Sequence, residues 1–236
     1  EGKPGQIHLL PMSGGEAAQL TRLKGGASSP AWSPDGKRIA FASGTHPAID
    51  DDTTRAKPKK EPGQLITRPI FRLNNAGYFD LEHPSHVWVV EAAGGRARQL
   101  TTGTFNEGAP DWSRDGAWVC FTSDRRKEPW FGQDDDDLYA VAPGLAKPVD
   151  GGGFRTLVDY DGGIGDWVEA ADGRIAFVGG VNPNEDHSYD QGDLMITAGA
   201  GRPVRSLNTD YDFDIGGGVG SDQHPPRGGG QRPLAF

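Results

Sequence analysis

The phrase AWSPDGKRIAF at 31–41 returns, eighty residues later, as DWSRDGAWVCF at 111–121. Ser33-Pro34-Asp35-Gly36 carries the chemistry of a tight turn. Proline presets φ at the second turn position, the Asp carboxylate reaches nearby backbone N–H groups, and Gly accepts the positive φ that closes a hairpin. After the turn, Ile39 and Phe41 alternate with Ala40, which puts the two large apolar side chains on one face of a strand. Trp32, just before the turn, has the size to seal a gap between packed sheets. In the second copy Arg114 replaces the proline, Asp115-Gly116 keep the turn, and Trp112, Val119 and Phe121 keep the apolar positions.

The repeat extends outward from the phrase. At the same offset QIHLLPMSGGEAAQLT (6–21) lies over SHVWVVEAAGGRARQLT (85–101), with one residue to spare. Each copy reads as a strand, a Gly-Gly turn (Gly14-Gly15, Gly94-Gly95), a short strand at Gln-Leu-Thr, and the Asp-Gly hairpin. A third copy runs through DLYAV (137–141), RTLVD (155–159) and DWVEAADGRIAF (166–177), with Trp167, Asp172, Gly173 and Phe177 in the motif places and two extra residues between Trp167 and the turn. A fourth begins at DLMIT (193–197), continues through VRSLN (204–208) and stops inside PLAF at Phe236. Four short strands and an Asp-Gly turn per unit are the signature of β-propeller blades.

The expected fold is therefore all-β, a partial propeller of about three and a half four-stranded blades, where closure takes roughly four to eight. The repeat places blade 1 at about 6–44, blade 2 at about 85–125, blade 3 at about 137–180 and a partial blade 4 at about 193–236. Blade 1 carries a long insertion, 45–82. Its first half is charged and proline-rich and reads as a mobile loop. Its second half, ITRPIFRLNNAGYFD, reads as an extra hairpin, and long loops on rigid scaffolds are where function concentrates. Three and a half blades do not close a ring, and the first residues, EGKPGQIH, begin without methionine almost on a blade strand. A piece of a longer polypeptide is the expectation.

Composition narrows the function classes. The 236 residues include 36 Gly and 18 Pro, yet the apolar periodicity is sustained, as in a turn-rich β protein. A net charge of −9 disfavours non-specific binding to nucleic-acid phosphates, so no nucleic-acid partner is expected. No apolar window reaches transmembrane length and no signal segment is visible, which gives the expectation of a cytoplasmic chain with no membrane partner. The single cysteine, Cys120, falls in a buried strand and reads as a small core residue.

The ordered set QLT, PAWSPDGKRIAFAS, the insertion ending RPIFRLNNAGYFD, then HVWVVEAAGGRARQLT, DWSRDG, FTSDRR and DLYAV resembles the amino-terminal propeller of prolyl oligopeptidase family serine peptidases, in the acylaminoacyl-peptidase and dipeptidyl-aminopeptidase-like branch. The WSPDG unit is shared with the periplasmic Tol-system propeller, and the insertion followed by HVWVV is what points to the peptidases. The resemblance implies that the chain is a fragment of a roughly seven-bladed propeller that caps a carboxy-terminal α/β-hydrolase domain and admits short peptide substrates. That family's chemistry uses a Ser nucleophile in G-x-S-x-G, followed by Asp and His. No serine here has that setting, so the chain is expected to hold no catalytic residue, no cofactor and no metal, and to be inactive by itself. The runner-up is a non-catalytic protein-binding propeller of the Tol type.

Other constellations carry less. The run Asp134-Asp135-Asp136-Asp137 offers oxygen ligands but lacks the spacing of a calcium loop, and reads as a solvated edge or funnel-lining loop. His83 and His86 flank Pro84 with no third ligand nearby. Arg125 and Arg126 either project toward a pore or pair with nearby acids. Arg125, Arg126, Asp134, Asp135 and Asp136 are thus the candidate substrate-gating residues.

Overall fold

The computed structural model describes residues 3–48, 72–73, 77–78, 82–133, 135–181, 192–209 and 215. Sixteen short strands run in chain order: β1 (His8–Leu9), β2 (Ala18–Gln19), β3 (Ser28–Trp32), β4 (Arg38–Ser43), β5 (Arg72–Leu73), β6 (Gly77–Tyr78), β7 (His86–Glu91), β8 (Arg98–Gln99), β9 (Asp111–Trp112), β10 (Val119–Ser123), β11 (Asp137–Val141), β12 (Arg155–Val158), β13 (Gly162–Glu169), β14 (Ile175–Val181), β15 (Asp193–Thr197) and β16 (Val204–Ser206). They form three four-stranded sheets, β3-β4-β7-β8, β9-β10-β11-β12 and β13-β14-β15-β16, and two two-stranded ones, β1-β2 and β5-β6. Within each sheet the strands follow chain order, with β5-β6 interposed between β4 and β7, as in propeller blades with an insertion. The chain divides into two compact units, 1–132 with 139–155 and 133–138 with 156–236, the division falling inside β11 and β12. No helix among the described residues is long and apolar enough to cross a membrane.

The Asp-Gly turns form as their chemistry demands. Ser33 Oγ donates to Asp35 Oδ1 at 2.6 Å, the Lys37 N–H donates to the same carboxylate at 3.1 Å, and Gly36 takes φ 68°. Ser113, Asp115, Ala117 and Gly116 repeat this at 2.6 Å, 2.9 Å and φ 69°. The serine hydroxyls, ahead of the backbone N–H groups, hold both Asp carboxyls below the usual range, because a donated hydrogen bond favours the ionised form. At Asp172 the Arg174 backbone N–H is the main cause of the same lowering, Ala170 standing where the other copies have serine.

The sheet registers reproduce the eighty-residue offset. His8 pairs with Gln19 and Trp88 with Gln99; Trp32 pairs with Ile39 and Trp112 with Val119. In the third copy Trp167 pairs with Phe177, and Glu169 holds the place next to the turn. The two extra residues move Trp167 two positions along the strand, which keeps it on the same face. The expected hairpin in the insertion is present as β5-β6, with Arg72 opposite Tyr78. Residues 49–71, which hold most of the half read as a mobile loop and the start of the half read as a hairpin, lie outside the described residues, as does the final PLAF.

Hydrogen bonding groups the strands half a repeat away from the sequence units. The hairpin β3-β4 of the first copy completes its sheet with β7-β8 of the second, β4 pairing antiparallel with β7 from Arg38↔Glu91 to Ser43↔His86. A sheet therefore joins the end of one unit to the start of the next. Alternate side chains of this sheet serve two different interiors. Ile39, Phe41, Trp88 and Val90 pack with Ile7 and with the half-buried Leu9 and Leu20 of the β1-β2 side. Ala31, Ala40, Val87 and Val89 pack with Leu100, Trp112, Val119, Phe121 and Val141. Cys120 is buried as a small core residue beside them. In the second unit Tyr160 packs edge-on to the buried Phe177 at 5.2 Å. Burial, with the charges of Asp193 and Asp161, pushes its phenol up to about 12.

The two copies part company at tryptophan. Trp112 is buried, its Nε1 donates to Ala31 O at 3.0 Å, and the Arg38 guanidinium lies over its ring at 4.7 Å. Trp32, expected to seal a gap, is 53% exposed. The physical reason is its surroundings: β1-β2 matches β7-β8, and among the described residues no pair joins it as β3-β4 joins β7-β8, so none of them stands where Ala31 and Arg38 stand for Trp112. Trp112→Ala should therefore destabilise the chain by about 3–5 kcal/mol, the usual cost of emptying a buried aromatic site. Trp32→Ala should cost less than about 1 kcal/mol. Urea unfolding of the two variants checks this; equal losses would contradict the half-covered face.

Candidate functional site

The structure gathers one buried charged cluster in the first unit, at the ends of β7, β8 and β10. Thr101, last residue of the Gln-Leu-Thr motif, accepts the Val87 N–H at 2.9 Å, as Thr21 accepts the Ile7 N–H at 2.9 Å in the first copy. In both copies this hydroxyl caps the entry of the strand. In the second copy it also donates to Glu107 Oε2 at 3.0 Å. His86 Nδ1 lies 2.6 Å from the same oxygen, and Arg125 donates to Glu107 Oε1 at 3.0 Å. The Glu107 side chain is fully buried.

The Arg125 guanidinium is held further by Asp150, and it sits over the rings of Phe105 at 4.6 Å and Phe154 at 4.9 Å. A carboxylate removed from water is tolerable only when its oxygens are paired, and three partners supply this. Two aromatic faces around the planar cation add cation–π attraction where water is thin. The cluster clasps the loops before β9, after β10 and before β12. Each charged group of the cluster is paired with another.

The candidate gating residues fall into place separately. Arg125 is committed to the clasp. Arg126 Nε donates to Asp124 Oδ1 at 3.0 Å on a partly exposed edge. Both belong to the first unit, whereas Asp135 and Asp136 belong to the second. Asp135 and Asp136 are half-buried; the Asp136 N–H donates to Gly162 O at 3.0 Å, and Asp137 accepts the Tyr160 N–H at 3.1 Å. These bonds anchor the acidic run to the start of β13. Asp134 lies outside the described residues. Of the two histidines noted in sequence, His86 is a member of the clasp. Among the described residues no three His, Cys, Asp or Glu side chains converge as a metal ion would require.

Glu107 went unnoticed in the sequence, yet a signal was there. At the eighty-residue offset His86, Glu107 and Arg125 stand where the first copy has Gln6, Ala27 and Thr45. These divergent positions meet in space, and the first copy solves the same local problem with neutral groups, Thr21 donating to Gln6 Oε1 at 2.9 Å and Ser43 to Thr45 Oγ1 at 2.9 Å. Glu107→Gln and Arg125→Met should each destabilise by about 3 kcal/mol, since each strands a buried partner. The double variant should lose markedly less than the sum. Additive losses in urea denaturation would show that the clasp is not one unit.

No protein-family model matches the chain. Over 129 residues it is 31% identical to the uncharacterized peptidase YuxL of Bacillus subtilis (strain 168), covering 52% of this chain and 19% of that one. Over 131 residues it is 29% identical to a protein TolB homolog of Chlorobium luteolum, covering 52% of this chain and 30% of the relative. Among solved structures the acylaminoacyl peptidase of Pyrococcus horikoshii superposes over 89% of this chain and 30% of its own, with a TM-score of 0.53 at 14% identity. The chain spans less than a third of the length of each of these proteins. The structural likeness shows the fold, a segment of β-propeller. The similarity to peptidase propellers expected from the sequence is borne out, with a Tol-type likeness beside it.

Proposed function

We propose that this chain is the propeller segment of a serine peptidase of the prolyl oligopeptidase type, which hydrolyses short peptides. In this reading the propeller limits access to a catalytic α/β-hydrolase domain carried by the same polypeptide. The observation that carries the reading is the 31% identity to a peptidase over 129 residues. A propeller suits a gate because its sheets are rigid and its pore selects by size. The catalytic step would be acyl transfer to a serine activated by histidine, followed by hydrolysis. None of the residues described above takes part in it.

A second reading has its own observation, the 29% identity to a TolB homolog. There the propeller is a docking platform and no hydrolase is attached. The two separate on one experiment with the product of the complete reading frame. A peptidase gate predicts labelling by a fluorophosphonate probe and cleavage of acylated or amino-terminal dipeptide chromogenic substrates, with rates that fall steeply once peptides outgrow the pore. The 236-residue chain alone should show neither labelling nor cleavage. Absence of both from the complete product would overturn the peptidase reading in favour of the platform.

A further inference from the structure

A groove of about 940 Å³ opens in the first unit, beside β8 and the segment that follows β2. Among the described residues that line it are Arg22, Lys24, Arg96 and Arg98 and no carboxylate. In a chain of net charge −9 that concentration of cations runs against the overall balance. The Arg98 guanidinium donates to the carbonyl oxygens of Pro143 at 2.7 Å and Leu145 at 2.5 Å, neutral acceptors that fix its position and leave its charge uncompensated. Arg22 and Arg96 are exposed, and among the described residues no carboxylate pairs with either. Guanidinium groups fixed or poised in this way match the two oxygens of a carboxylate.

Trp88 forms part of its wall and is only 4% exposed. The ring itself is positioned by packing, stacked on Phe41 with centroids 6.5 Å apart. Leu20, Leu23, Pro47 and Pro148 give the rest of the wall an apolar character. Ligand sites of about 300–1,000 Å³ hold molecules much larger than a single small anion.

We propose that this groove binds a peptide segment in which carboxylate side chains alternate with apolar ones. The carboxylates meet Arg22, Arg96 and the fixed Arg98, and the apolar side chains cover Leu20 and Leu23. The groove is distinct from the Glu107 clasp, whose charges are internally paired, and the inference stands whether or not the full protein is a peptidase.

Fluorescence anisotropy with the 236-residue chain tests it, using a labelled hexapeptide that alternates glutamate with leucine and a neutral counterpart that alternates glutamine with leucine. The acidic peptide should bind at least tenfold tighter, and the preference should shrink as salt is raised. Arg22→Gln with Arg96→Gln should lower its affinity at least tenfold while leaving the thermal melt in place. Equal binding of the two peptides, or acidic-peptide binding indifferent to the paired arginine substitutions, would overturn the proposal. So would displacement of the peptide by inorganic phosphate at equal molar potency, since that is the behaviour of a small-anion site. Because the readout is binding, a failed peptidase assay and a failed groove assay are separate results.

Discussion

Strands β4 and β7 have no side that faces water. Ile39, Phe41, Trp88 and Val90 are buried toward β1-β2, and Ala40, Val87 and Val89 toward the strands β9 and β10. A sheet apolar on both faces is stable only with a neighbour on each, and this single requirement explains the repetition in the sequence. Every unit must present the same turn and the same alternation so that the next can cover it. Size complementarity follows: the small Ala31 and Ala40 leave room where Trp112 and Phe121 arrive from the next repeat. The indole then adds a directed bond to Ala31 O, and Arg38 closes over its ring.

The same stacking forces polar chain ends into dry places, and the two best-matched copies answer differently. Thr21 and Thr101 do identical work at the strand entries. Around Thr21 the remaining polar groups are neutral. Around Thr101 a full carboxylate has been buried and matched by a histidine, a threonine and an arginine wedged between two phenylalanines. Each added charge carries its own compensation, which is why the cluster holds loops together. The groove beside Trp88 differs: among the described residues that line it there are cations and no acid.

Local chemistry was legible in the sequence and long-range pairing was not. The Asp-Gly and Gly-Gly turns, the alternation of Ile39 with Phe41 and the hairpin within the insertion depend on residues close in the chain, and they formed as read. The half-repeat offset of the sheets depends on which hairpin meets which across the insertion, a choice no local pattern records. Trp32 and Trp112 occupy equivalent places in the repeat and have opposite exposures, because exposure is decided by what stands beside them. Glu107 was readable only as a difference between copies. The groove gathers Arg22, Trp88, Arg96 and Pro148 from separate stretches, so no contiguous motif announces it.

Amide hydrogen exchange on the 236-residue chain, resolved strand by strand, tests most directly whether two-sided burial governs stability. Amides of Ala40, Phe41, Val87 and Val89, in the sheet covered on both faces, should be the slowest of the first unit. Those in β1 and β2, where His8, Ala18 and Gln19 are exposed, should exchange at least about a hundredfold faster. If β1 and β2 were protected as strongly as β4 and β7, the stability of the chain could not rest on a sheet held between two neighbours.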